Sequence, residues 1–213
     1  MDFIPNFAVF EGGDGSGTTT QLSILTERLK NTKKTLFFPT FEPTNEKTGM
    51  LIRTALKKEI TIESETLCFL FAADRNEHLY GQEGILAHTK RNELAISDRY
   101  ILSSLVYQGI ECGDELPQAL NLRFPAPELT IFLDIAPEIA LERIKDRSSR
   151  EIYEYLDFQK KVREKYKSLL KTYGEAGGWV EIIDASGHIQ EVADQVWSII
   201  SQMPILKSSE DIF

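Results

Sequence analysis

The sequence predicts a three-layer α/β domain, a parallel sheet of about five strands with helices on both faces. Short apolar runs rich in β-branched and aromatic residues recur along the chain: FAVFE (7–11), TLFFP (35–39), ELAIS (93–97), LTIFLD (129–134) and WVEIID (179–184). Each is nearly continuous in apolar character rather than alternating, as strands covered on both faces must be. Segments of helical periodicity separate them, which is the pattern of strand–helix–strand crossovers.

The first strand runs into the glycine-rich stretch GGDGSGTTTQ, and LSILTERL then gives a helix over 18–31. Further helices are expected over 48–58, 64–91, 101–109, 116–123, 137–147, 151–174 and 189–203, with Gly81 and Gly84 placed to interrupt the longest. No repeat or low-complexity linker divides the chain, so residues 1–204 read as one domain. A short lid is expected at about 143–153, and a flexible tail over 205–213.

With 213 residues, 42% of them hydrophobic, one domain can bury a substantial core. The formal net charge of −9 excludes a general nucleic-acid binder, because phosphate-backbone binding needs a basic surface. A small phosphorylated ligand remains open, since it needs only a local cationic pocket. Cys68 and Cys112 show no disulfide framework or metal spacing. No basic segment followed by an apolar one marks a signal peptide, and no stretch has the length of a membrane span. A soluble, cytoplasmic protein is expected. His78, His88 and His188 have no ligand spacing.

Four places carry candidate chemistry. In Gly12–Thr19, the glycines Gly12, Gly15 and Gly17 allow successive N–H groups to converge on an anion at a helix N-terminus. The usual pattern for such a loop is G-x-x-x-x-G-K-[ST], and Thr19 stands at the hydroxyl position, able to reach Mg²⁺. At the third strand's end, Asp98 can hold Mg²⁺ and Arg99 can grip a phosphate, although a surface ion pair would look the same. Phe71 and Arg75 lie four apart on a helix and could stack on and hydrogen-bond a base. By spacing alone, a core phenylalanine and a solvated arginine are the better reading. Arg143, Lys145, Arg147 and Arg150 form a basic run in an acidic protein, placed to close on phosphates.

Taken together, these segments resemble thymidylate kinase, a nucleoside monophosphate kinase family with a phosphate-loop fold. FEGGDGSGTTTQ resembles the family's FEGxDGSGKTTQ, TFEPTNEKTGMLIRTAL its TREPGGTxxGExIRxxL, and LFAADRNEHL its LFAADRxxHV. ISDRYILSSLVYQG is similar to DRYxxSSxAYQG, and PELTIFLDIAPEIALERIKDR to PDLTxxLDVxPExALxRxxxR. The resemblance implies transfer of the ATP γ-phosphoryl group to dTMP. It places ATP phosphates on Gly12, Gly13, Asp14, Gly15, Ser16, Gly17, Thr18 and Thr19. Asp14 falls near the deoxyribose 3′-hydroxyl, and Mg²⁺ at Thr19 and Asp98. Thymine would stack on Phe71 and bond Arg75, with the acceptor phosphate on Arg53 and Arg99. Ser104, Tyr107 and Gln108 would line the nucleoside pocket, Tyr107 disfavouring a ribose 2′-hydroxyl. Because Gly15 occupies the loop position where some members carry arginine, the resemblance assigns catalytic charge to Arg147 and Arg150 in the lid, beside Asp14 and Arg99. It also implies a homodimer, with the helices at 64–80 and 101–107 as candidate faces.

Two departures fall around phosphates. Thr18 stands where the family loop has lysine, and Phe41 where the family has arginine, with Thr44-Asn45 replacing two glycines. A threonine hydroxyl donates one neutral hydrogen bond but offsets no phosphate charge. By analogy with removal of one preorganised donor, turnover should fall by roughly 10²–10³. Three readings follow: a kinase in which Arg147, Arg150 or Lys47 covers the gap, a nucleotide-binding regulatory protein of this fold with little catalysis, or a kinase for another deoxynucleoside monophosphate.

Overall fold

The computed structural model describes residues 2–32, 36–145, 153 and 155–207. Five strands, β1 (Phe3–Gly12), β2 (Phe37–Phe41), β3 (Leu94–Asp98), β4 (Ala126–Asp134) and β5 (Trp179–Asp184), form one sheet in the order β2-β3-β1-β4-β5. All neighbours are parallel, as the continuous apolar runs require. The helices are α1 (Thr18–Thr32), α2 (Lys47–Leu56), α3 (Ser64–Tyr80), α4 (Ile85–Lys90), α5 (Ile101–Cys112), α6 (Glu115–Asn121), α7 (Pro137–Ile144), α8 (Leu156–Glu175), α9 (Ile189–Ile200) and α10 (Pro204–Lys207).

Alternation along the central strand divides the core. Ala8 and Phe10 face a cluster with Leu22, Leu25 and Leu29 of α1 and Val192, Val196 and Ile200 of α9. Phe7 and Val9 face the opposite side, with Leu79 of α3, Ile85 of α4 and Ile101 of α5. A third cluster joins Ile52 of α2, Leu67 of α3, Val106 of α5 and Tyr166 of α8. Buried on both faces, β1 cannot shift register without moving one apolar set into the wrong layer.

The expected long helix is two. Helix α3 stops at Tyr80, and Gly84 opens α4 at a point where a Cβ would sit 2.6 Å from the His78 carbonyl oxygen. Helix α8 begins at Leu156 rather than 151, and α7 ends at Ile144 rather than 147. Part of the expected tail is core: Ile205 and Leu206 lie in α10, buried against the α1/α9 layer. Apolar periodicity across only four residues is too short to read from sequence. No helix among the described residues is long and apolar enough to cross a membrane.

The register sets the site. Phe10 pairs with Asp98, Phe41 with Asp98 and Gly12 with Leu133, so β1, β2, β3 and β4 end at one level. Their carboxyl ends open into a shared crevice, the usual ligand position in an open α/β sheet.

Candidate active site

A cavity of about 960 Å³ occupies that crevice. The glycine loop lines one part, Asp98, Arg99, Ser103 and Tyr107 its middle, and Phe41, Arg53, Phe71, Arg75 and Gln108 the far part. Beyond the loop the cavity continues between Arg143 and the segment from Ala185 to Val192. Arg143 donates to the carbonyl of Ala185 (3.0 Å), which fixes its guanidinium as a wall.

The loop has the conformation that its glycines allow. Gly15 (φ +82°) and Gly17 (φ +97°) are left-handed, where a side chain is strained. A Cβ on Gly15 would also sit 2.2 Å from the carbonyl oxygen of Ala140, so the loop lies directly on α7. Thr18 is buried at the first turn of α1 and lines the cavity. The Ser16 hydroxyl is buried with no partner among the described residues. The arginines lining the cavity as a whole are Arg53, Arg75, Arg99 and Arg143, and no described lysine joins them. Lys47, one candidate for covering the missing charge, opens α2 as an exposed residue outside the cavity lining.

Thr19 donates its hydroxyl to Asp98 Oδ2 at 2.6 Å, while Asp98 Oδ1 is buried without a partner among the described residues. A carboxylate oxygen and a hydroxyl, both hard donors beside a phosphate loop, fit the few protein ligands that Mg²⁺ takes when phosphates and water supply the rest.

Asp14 is the hub of the middle. Its Oδ1 accepts from Arg99 Nη2 at 2.7 Å and from the Tyr107 hydroxyl at 3.2 Å. Its Oδ2 accepts from Gln159 Nε2 at 2.7 Å, and its N–H donates to Gln159 Oε1 at 3.1 Å. Burial pushes the Tyr107 phenol up, so it stays a donor. Arg99 adopts φ 73°, an uncommon conformation for a bulky residue, while its N–H still bonds the Phe10 carbonyl at 2.8 Å. Its guanidinium lies 5.1 Å from the Tyr107 ring centroid. Below it, Glu11 is fully buried. Burial pushes its carboxyl up, against hydrogen bonds from Ser103 and Tyr166 and the charge of Arg99.

At the far end the solvated-arginine reading fails, because Arg75 is 1% exposed. Its Nε and Nη2 donate to Glu42 Oε2 (2.9 and 2.6 Å), and Nη2 also contacts the Tyr100 carbonyl and Ser104 Oγ, both at 3.0 Å. Nη1 donates to Asn121 Oδ1. A guanidinium has five N–H donors, so these contacts leave one Nη1–H for a ligand. Gln108 Oε1, buried and without a partner among the described residues, lines the same part, as does the half-buried Phe71. Ser104 lines the cavity as well and accepts from Arg75 there.

The two departures are integrated. Phe41 lies under the Arg53 guanidinium, 5.2 Å from it, and Arg53 Nη2 donates to the Pro43 carbonyl while Nε has no partner among the described residues. Thr44 donates its N–H and hydroxyl to the buried Asp74 (2.8 and 2.7 Å). The altered segment is thus tied to α3 rather than loose. Arg147 and Arg150 lie outside the described residues. Sequence reasoning missed Glu11, Glu42, Ser103 and Gln159 as site residues, while Arg143, read there as part of a basic run, does line the cavity. Glu11 and Ser103 adjoin quoted motifs, but only the fold brings them to Arg99.

A glycine loop between a central parallel strand and a helix, with Asp98 and Arg99 at the neighbouring strand end, defines a nucleotide-binding α/β protein of the phosphate-loop NTPase class. Within that class the chain belongs to the thymidylate kinase family, whose profile matches residues 10–196. Relatives named for thymidylate kinase include one from Treponema pallidum, 40% identical over 199 residues, covering 92% of this chain and 95% of its own. One from Pyrobaculum aerophilum is 39% identical over 198 residues, covering 92% and 97%. One from Methanococcus aeolicus is 36% identical over 193 residues, covering 89% and 93%.

Proposed function

We propose that the chain transfers the γ-phosphoryl group of ATP to dTMP, giving dTDP and ADP. The observation that carries this reading is the continuity of the cavity from the glycine loop, past Arg99 and Asp14, to Phe71, Arg75 and Gln108. Phosphoryl transfer needs donor and acceptor in line and charge neutralised between them. A nucleotide base at the far end meets one Arg75 N–H donor, one Gln108 acceptor and the Phe71 ring. Thymine offers a matching carbonyl and N–H, whereas cytosine presents the opposite pattern. The acceptor phosphate then falls between Arg53 and Arg99, and the sugar beside Asp14 and Tyr107.

ATP would lay its phosphates on the N–H groups of 12–19 and its base against Arg143. Thr19 and Asp98 would hold Mg²⁺, which supplies charge neutralisation on the phosphates when bound. Arg147 and Arg150 would add charge from the lid. Two free thiols fit a reducing, cytoplasmic setting. A homodimer would use α2 and α3, which expose Met50, Leu51 and Phe69, because the apolar residues of 101–107 are largely spent in the core. Light scattering reads that directly, a monomer at micromolar concentration counting against it.

The functional test is ADP production from Mg-ATP with dTMP, dUMP, dCMP, dGMP or no acceptor. Turnover that depends on dTMP and falls steeply with dCMP is expected. Equal ADP release with every acceptor and with none would defeat the reading.

A further inference from the structure

Arg99 needs a support that its own helix does not give. It stands at φ 73° one residue before Tyr100, the N-cap of α5, whose side chain makes no capping bond. The missing cap comes from another strand. Glu11 Oε1 accepts the N–H of Tyr100 at 3.0 Å and of Ser103 at 3.3 Å, the N-cap and N3 donors that the two side chains of a capping box serve. Glu11 Oε2 accepts the hydroxyls of Ser103 at 2.6 Å and Tyr166 at 2.8 Å. Ser103 Oγ in turn accepts from Arg99 Nη1 at 3.3 Å. The donors thus run in one direction, from guanidinium to serine hydroxyl to carboxylate, and Glu11 is only 1% exposed.

We infer that Glu11 is a positioning residue for Arg99, holding the guanidinium toward the acceptor phosphate by capping α5 and by orienting the Ser103 hydroxyl. This rests on the kinase reading above, which gives Arg99 that phosphate. The carboxylate has no direct bond to Arg99 and acts through Ser103. Its placement two residues after the central strand's Val9, with Arg99 bonded to Phe10, ties the glycine loop and the acceptor arginine to one strand end.

Glu11→Gln tests this without changing volume. The amide oxygen still accepts both backbone N–H groups, so the cap survives. The amide nitrogen, however, donates where the carboxylate accepted, which turns the Ser103 hydroxyl away from its role and competes with Arg99. Affinity should be measured by calorimetry for dTMP and for thymidine, beside melting temperature. We expect dTMP binding to weaken about tenfold, with thymidine within about twofold, because only the phosphate-facing hydrogen bond to a charged group is lost. Ser103→Ala should do the same, and the double variant should lose little more than either single one.

Unchanged dTMP affinity in both single variants overturns the inference. So does an equal loss for thymidine and dTMP, which would make Glu11 a fold support only. Additive losses overturn the route through Ser103. An unmodified chain that binds neither ligand overturns the kinase reading and this inference with it.

Discussion

At the end of the cavity proposed for the acceptor, buried polar side chains are tied to one another, whereas at the proposed donor end the glycine loop presents its main chain. Arg75 sits against Glu42, Asn121, Ser104 and a carbonyl, and Asp74 gathers Thr44 and Thr48. The glycine loop shows left-handed glycines and an unpartnered Ser16 hydroxyl instead. The difference teaches where charge loss is tolerable. A main-chain cradle keeps its shape whatever side chain occupies position 18. A side-chain network collapses when one member leaves its partner buried and unpaired.

Breaking the network at its centre should have the largest effect. Glu42→Ala leaves Arg75 charged, buried and unpaired, at a cost of about 3–5 kcal/mol of stability, read by urea denaturation. A small loss there would erase the contrast between the two ends. At the donor end a single cation should change rate with little effect on stability. Thr18→Lys is expected to raise kcat with dTMP by roughly 10²-fold while its melting temperature stays within a few degrees. If the unmodified chain already turns over rapidly and lysine adds nothing, other cations fill the donor end, and Arg147→Ala and Arg150→Ala would test whether they are those.

Phe41 sharpens the comparison from the acceptor side. It removes a charge yet stacks on Arg53, so Phe41→Leu should raise KM for dTMP about two- to fivefold with kcat kept, and Phe41→Trp should restore it. Equal KM values would make Phe41 a filler. The smallest effect lies outside the cavity. Arg163, bound to Asp134 at 2.6 and 3.0 Å, helps hold that carboxyl below its ordinary range against the opposing effect of burial. A depressed carboxyl adds stability above its ordinary value and loses it as pH falls through the lowered one. Melting between pH 5 and 3 should show that loss, and Arg163→Met should flatten it, by less than about 1 kcal/mol because the pair is partly solvated.

Much of this was legible because it is local. Apolar runs gave the strands, glycine spacing gave the loop, and Asp98-Arg99 stood where a strand had to end. What was illegible depends on distant segments meeting. Glu11 and Ser103 are 92 residues apart, Gln159 and Asp14 145, and Glu42 and Arg75 33. No periodicity encodes such pairings. Spacing alone favours a solvated Arg75, because it places a side chain on a face without saying what covers that face. The burial of Ile205 and Leu206 escaped for the same reason, since their partners lie in α1 and α9.

The shared direction of the five strands has a practical side. All carboxyl ends meet at the cavity, and β1 starts from the opposite pole. Helix α9 begins beside the cavity at Ile189 and runs back from it, carrying α10 with it. Residue 2 and Lys207 therefore both sit away from the crevice. A chain anchored to a bead or an electrode through either would present its open pocket outward, free to exchange nucleotides.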